Sequence, residues 1–170
     1  MLNVYKLDSS ILEWIQEHMR TKVMDRVMSL STRLGDCGVV WILYFLLMVF
    51  NREKRQTALS LLVCVIVCAF LGNFAIKPIF RRTRPCNHDT AFPNRPAVKR
   101  PSDSSFPSCH ALTSVAAAVT LCHAGWFLGM SSLVIASLIS FSRMYLYVHY
   151  PSDVLIGAMM GVAAGSFFML

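Results

Sequence analysis

The stretch TALSLLVCVIVCAFLGNFAI, residues 57–76, runs for twenty residues without a charged side chain. A helix rises about 1.5 Å per residue, so this run reaches about 30 Å, the thickness of the hydrocarbon core of a bilayer. It reads as a membrane span. The composition agrees: 55% of the 170 residues are hydrophobic and 15% are charged, where a soluble domain carries about a quarter charged residues. The formal charge is +7. In a soluble protein such a surplus suggests nucleic acid. Lodged between apolar runs, it points to anionic or phosphorylated lipid instead, and no nucleic-acid partner is expected.

Upstream of this span, NREKRQ (51–56) is a polar turn. The apolar run Cys37–Phe50 before it is short for a crossing, so its helix is expected to extend back past Gly38 and Gly35 with a kink there. In residues 1–36, Ile11, Ile15 and Met19 fall on one helical stripe and Val23, Val27, Leu30 and Leu34 on another, both interrupted by charge. That pattern predicts amphipathic helices lying at the membrane interface. Downstream, 77–109 is long, polar and proline-rich, and loops of this length in a compact domain are usually functional. Three further apolar runs follow: His110–Trp126, Phe127–Phe141 and Asp153–Leu170. The last carries Gly157, Gly161 and Gly165, a spacing that lets two helices approach closely. The expected fold is an all-α integral membrane bundle of about five transmembrane helices plus N-terminal amphipathic interfacial helices. It forms one domain over 1–170, with 1–36 interfacial and 37–170 the core. Five spans put loops 77–109 and 142–153 on one membrane face, opposite 51–56.

Those two loops hold the chain's unusual polar residues. Lys77 and Arg84 are separated by six residues in KPIFRRTRP, Ser108, Cys109 and His110 lie in FPSCH at a span entry, and SRMYLYVHYPSD (142–153) holds Arg143, His149 and Asp153. A phosphate ester needs fixed cations, which Lys77, Arg84 and Arg143 supply; arginine forks onto two phosphate oxygens, and lysine acts as a point charge. The start of the span after Ser108 adds the backbone N–H groups of Cys109 and His110, with Ser108 suited to cap it. Two histidines and a carboxylate suit acid–base and nucleophilic work. Pro151 pushes Tyr150 out of helical conformation and favours a helix start, so His149 is expected in the loop and Asp153 at the head of the last span. A metal site from His110, His149 and Asp153 is a weaker alternative beside three cations. The six cysteines include no CxxC pair, which argues against zinc.

The three pieces, K-x(6)-RP, PS-x-H and SR-x(5)-H-x(3)-D, resemble the signature motifs of the type 2 phosphatidic acid phosphatase superfamily. These are membrane lipid phosphatases related to vanadium haloperoxidases and glucose-6-phosphatase. The resemblance covers residues 57–170 and adds little to the N-terminal segment. It implies a lipid phosphatase working through a phosphohistidine, with His149 the nucleophile, Asp153 its orienting carboxylate and His110 the general acid and base. Lys77, Arg84, Ser108, Cys109 and Arg143 would hold phosphate, without metal or cofactor. The short chain looks most like bacterial undecaprenyl-diphosphate phosphatases; the alternatives are a phosphatidylglycerophosphate, phosphatidate or lipid A phosphatase, or a lipid phosphotransferase. A non-enzymatic lipid-phosphate binder is the rival of another class, and it has no need of a nucleophile with a carboxylate partner. The expected partners are a phosphorylated membrane lipid and the bilayer; the oligomeric state is not encoded in any motif.

This sequence departs from the family's common second motif at Cys109, where glycine is usual. Cys86 also lies beside a motif, and a disulfide linking Cys86 to Cys109 is expected to impair activity. Arg81 and Arg82 are read as a lipid-headgroup patch, and Asp103 as a lesser candidate to orient His110. His18, His88 and His123 have no such partners and are read as interface and loop residues. Lysine and arginine counts place the site loops inside, but phosphate binding explains much of that charge. The resemblance puts the site on the outer, periplasmic or extracellular, face of a bacterial cytoplasmic membrane.

Overall fold

The structure is a computed structural model that describes residues 2–88 and 101–168. Residues 89–100 of the long polar loop lie outside the described residues, as does the His88 side chain. Among the described residues every regular element is helical: α1 (Leu2–His18), α2 (Lys22–Gly35), α3 (Val39–Val49), α4 (Arg55–Phe70), α5 (Lys77–Phe80), α6 (Pro85–His88), α7 (Cys109–Leu121), α8 (Trp126–Tyr145) and α9 (Pro151–Phe167).

Helices α2 and α3 form one apolar unit, Lys22–Val49, long enough to cross a membrane. The expected kink is present. Cys37 and Gly38 have left-handed backbones at φ 53° and 69°, and glycine alone takes that conformation without steric cost. The apolar stripe of Val23, Val27 and Leu30 faces outward, while Met28, Ser31 and Thr32 pack inward. A second long apolar unit, Arg55–Phe80, joins α4 to α5 through a π-helical turn at Leu71–Ile76. Pro78 explains the widened turn: it has no N–H to give and its ring crowds the carbonyl four residues back. Helix α8 is a third apolar helix of crossing length, and α7 (with its continuation to Ala124) and α9 are shorter apolar helices.

The core is built on α7, whose buried face is alanine-rich: Ala111, Ala116, Ala117 and Ala118. Helix α9 packs most extensively against it. A Cβ added at Gly157, Gly161 or Gly165 would lie 2.6 Å from the carbonyl oxygens of Ser108, Leu112 and Ala116 respectively. The glycine ladder is therefore the contact surface between α7 and α9, as its spacing predicts. Helix α1 turns Asp8, Leu12, Ile15 and Gln16 inward and leaves Val4, Leu7, Ile11 and Trp14 exposed. Of the predicted stripe Ile11, Ile15 and Met19, Ile15 is the fully buried member, because the inward face is partly polar. Gln16 Nε2 donates to the Tyr145 carbonyl at 2.8 Å and ties α1 to the end of α8.

Candidate active site

The motif segments converge at one end of the bundle. Lys77 opens α5, Arg84 precedes α6, His110 lies in the first turn of α7, Arg143 in the last turn of α8, and His149 in the connection to α9. Helix α8 ends with a left-handed Tyr147 (φ 61°), and the chain folds back so that the Val148 and His149 N–H groups both donate to the Arg143 carbonyl. That fold-back explains the SR-x(5)-H spacing: it returns His149 to the level of Arg143. Tyr150 is extended (φ −73°, ψ 153°) and Pro151 starts α9. His149 thus sits in the loop and Asp153 at the helix head, as expected.

Lys77, Arg84, Cys109, His110, Arg143 and His149 line a single cavity of about 660 Å³. Its other side, formed by Ile42, Leu62, Val65, Ile66 and Ala69, is apolar and lies between α3 and α4. Ser108 and Asp153 are fully buried behind its wall. Ser108 is the N-cap of α7, its Oγ accepting from the Ala111 N–H, and its own N–H donates to the Asp153 carbonyl at 3.1 Å. Its hydroxyl therefore serves the helix start.

Three buried cations define the polar end. Arg84 Nη1 donates to the Val148 carbonyl at 2.9 Å and lies 2.9 Å from His149 Nε2. Lys77 Nζ donates to Asn73 Oδ1 at 3.0 Å and Asp103 at 2.6 Å, and Arg84 Nη2 reaches the other oxygen of Asp103 at 2.8 Å. Asp103 thus bridges two cations and does not orient His110. Burial raises its carboxyl, and Lys77 and Arg84 outweigh that to hold it down to about 2. Arg143 donates to Thr32 Oγ1, and its buried Nε has no hydrogen-bond partner among the described residues.

His149 Nδ1 lies 2.7 Å from the Ser105 carbonyl. A carbonyl only accepts, so Nδ1 carries the proton and Nε2 presents its lone pair toward Arg84. Asp153 stands back, 3.8 Å from Nδ1, and accepts from Ser105 Oγ, from the Tyr150 N–H at 2.9 Å and from Arg82. Burial pushes the His149 ring down to about 3, with Arg84 and Arg143 adding to the shift and Asp153 opposing it. His110 Nε2 donates to Asp36 Oδ1 at 3.0 Å. Gly35 makes room for this, since a Cβ there would lie 2.8 Å from the His110 ring.

The headgroup reading of Arg82 is corrected by its contacts, because Arg82 pairs with Asp8 and Asp153; Arg81 stays exposed, in a left-handed turn at φ 42°. Asp36, Asn73, Asp103 and Ser105, which the motifs do not name, contact the candidate site residues. Asn73 could be found from its four-residue spacing to Lys77 on one helix face. Cys109 is buried against Gly72 and Asn73, whereas Cys86 packs with Ile15, Met28 and Tyr145, so the two thiols occupy separate surroundings. His123 is exposed at the far end of α7, and His18 is exposed on α1 beside Trp14. Among the described residues, no three His, Cys, Asp or Glu side chains gather as metal ligands.

Known proteins resemble this chain in sequence and in fold. An undecaprenyl-diphosphatase from Sulfolobus acidocaldarius is 32% identical over 72% of this chain, which spans 58% of that relative's length. A decaprenylphosphoryl-5-phosphoribose phosphatase from Mycobacterium tuberculosis is 30% identical over 87% of this chain and 83% of its own. The crystal structure of a phosphatidylglycerolphosphate phosphatase from Bacillus subtilis superposes with a TM-score of 0.79 at 24% identity, over 99% of this chain and 85% of that one, and shares the fold. The PAP2 superfamily model matches residues 57–170, the part of the chain holding Lys77, Arg84, His110, Arg143, His149 and Asp153, and on that match the chain belongs to the PAP2 superfamily.

Proposed function

We propose that this protein hydrolyses a lipid phosphate without metal, through a phosphohistidine, with undecaprenyl diphosphate the first substrate to test. The observation that carries the reading is one cavity with three buried cations and an unprotonated His149 Nε2 at its polar end and an apolar side between α3 and α4. Lys77, Arg84, Arg143 and the first-turn amides of α7 hold the non-bridging oxygens. Nε2 of His149 attacks phosphorus; the N–P bond forms as the bond to the lipid oxygen breaks, and His110 gives that oxygen a proton. Water then attacks the phosphohistidine while His110 takes its proton back, and phosphate and neutral His149 are restored. Asp153 stabilises the ring while it carries positive charge. The apolar side leads the lipid chain toward the bilayer, and the family resemblance supports a site on the outer face of a bacterial cytoplasmic membrane.

A second reading, a lipid phosphomonoester, is favoured by Asp36. Its carboxylate lies beside His110, where the leaving oxygen must depart, and it repels the inner phosphate of a diphosphate more than a neutral alcohol. Purified protein in detergent with EDTA, given undecaprenyl diphosphate and phosphatidylglycerophosphate beside a His149→Ala variant, tests both. Phosphate release by the wild type alone supports the mechanism, and the faster substrate decides between the readings. Turnover by His149→Ala, or its loss with EDTA in the wild type, refutes it.

A further inference from the structure

Asp153 stands at the centre of a wider polar cluster. Arg82 Nη1 donates to Asp153 Oδ1, and the other end of the same guanidinium reaches Asp8 Oδ2 at 2.7 Å. Asp8 is 3% exposed on α1. It also accepts from Ser152 twice, from the backbone N–H at 2.9 Å and from Oγ at 2.6 Å. The Tyr5 and Tyr150 rings flank the guanidinium, with centroids 4.7 Å and 4.2 Å from its central carbon. Burial works against the Arg82 charge, and the two carboxylates outweigh it. The cluster therefore joins three parts of the chain, α1, the loop before α6 and the head of α9, around the Arg82 guanidinium.

We propose that Asp8, acting through Arg82, is a positioning residue for Asp153 and so for His149, which makes helix α1 a working part of the active site. The proposal rests on the reading of His149 as nucleophile and Asp153 as its partner. With Arg82 on Oδ1, the Asp153 carboxylate has one rotamer in which Oδ2 faces Ser105, Tyr150 and the His149 ring. Asp8 shares the guanidinium, so Asp153 is not fully neutralised and keeps negative charge to offer the ring once it is phosphorylated. Asp8 also pins Ser152, the neighbour of Asp153, from the outside. The same contacts explain why α1 buries an aspartate: its partners are arranged on both sides, and an unpaired buried charge is costly.

The test uses the full chain in detergent, with lipid phosphate turnover measured for Asp8→Asn, Arg82→Gln, Arg82→Lys, Asp153→Asn and the Arg82→Gln/Asp153→Asn double variant. Asp8→Asn and Arg82→Gln are expected to lower kcat on the order of tenfold, with KM within about twofold, the size seen when a supporting hydrogen bond is lost. Arg82→Lys keeps the charge and recovers part of the loss. In the Asp153→Asn background, Arg82→Gln costs less than about twofold, because its effect runs through Asp153. Additive losses, or a loss carried by KM, overturn the proposal. Turnover by His149→Ala overturns the nucleophile reading instead, so the two failures are distinct. A readout independent of turnover is the Nδ1–H resonance of His149 in histidine-labelled protein. It is expected to move in Asp8→Asn and not in Glu13→Gln on the exposed face of α1; no movement in Asp8→Asn also overturns the proposal.

Discussion

Replacing Gly157 with alanine puts a Cβ 2.6 Å from the Ser108 carbonyl oxygen, about 0.8 Å inside the 3.4 Å at which ordinary contact begins. Neither partner is a flexible side-chain end: the oxygen belongs to α7 and the Cβ is fixed to α9, so the helices must part by most of that distance. Overpacking of this kind costs about 1–3 kcal/mol. Gly161 and Gly165 meet carbonyl oxygens at the same 2.6 Å, so each alanine variant is expected to lose a similar amount of stability. Activity separates them. At about 1.5 Å per residue, Gly157 lies about 6 Å from Asp153 along α9 and Gly165 about 18 Å. Gly157→Ala also displaces the N-cap of α7, the helix that begins with Cys109 and His110. A shift approaching 1 Å in a catalytic group costs on the order of 100-fold in rate. The expectation is a kcat loss of tens-fold or more for Gly157→Ala, less for Gly161→Ala and a few-fold at most for Gly165→Ala. Thermal unfolding in detergent and phosphate release measure the two quantities on the same preparations. Equal activity loss at Gly157 and Gly165, or unchanged melting in all three, contradicts this expectation.

Asp36→Asn is expected to slow lipid phosphate hydrolysis on the order of tenfold, by removing the carboxylate that holds His110. The loss should shrink with p-nitrophenyl phosphate, whose leaving group needs no proton; equal losses on both substrates contradict it. His149 is held down to about 3, so the ring stays neutral from pH 8 to about 5, and histidine nitrogen shifts read this directly. The unfolded chain takes up that proton below about pH 6.5 while the folded chain does not, so stability falls as pH drops through that value. Asp103 occupies the two cations that would receive phosphate, so Asp103→Asn should bind inorganic phosphate severalfold more tightly as an inhibitor; weaker inhibition contradicts that competition.

How much was legible follows from sequence distance. The glycine ladder, the N-cap at Ser108 and the split of His149 from Asp153 at Pro151 are local patterns with one physical solution. So is the kink before α3, where a short apolar run had to borrow length from the segment upstream. The second carboxylates were not legible. His110 and Asp36 are 74 residues apart, and Asp8 and Ser152 are 144 apart, and no periodicity links such pairs. Arg82 was misread for a related reason. Two adjacent arginines at a span end look alike in sequence, but the left-handed turn at Arg81 leaves one exposed and sends the other inward to Asp153.

In the proposed reaction His149 Nε2 takes the phosphoryl group. Lipid substrate labelled in its terminal phosphate, mixed with enzyme and quenched in alkali within milliseconds, tests it directly. Stoichiometric label is expected, stable in base and labile in acid, located on His149 by peptide mass spectrometry and lost in His149→Ala. Label on another residue, or turnover with no protein-bound phosphate at any time, contradicts it.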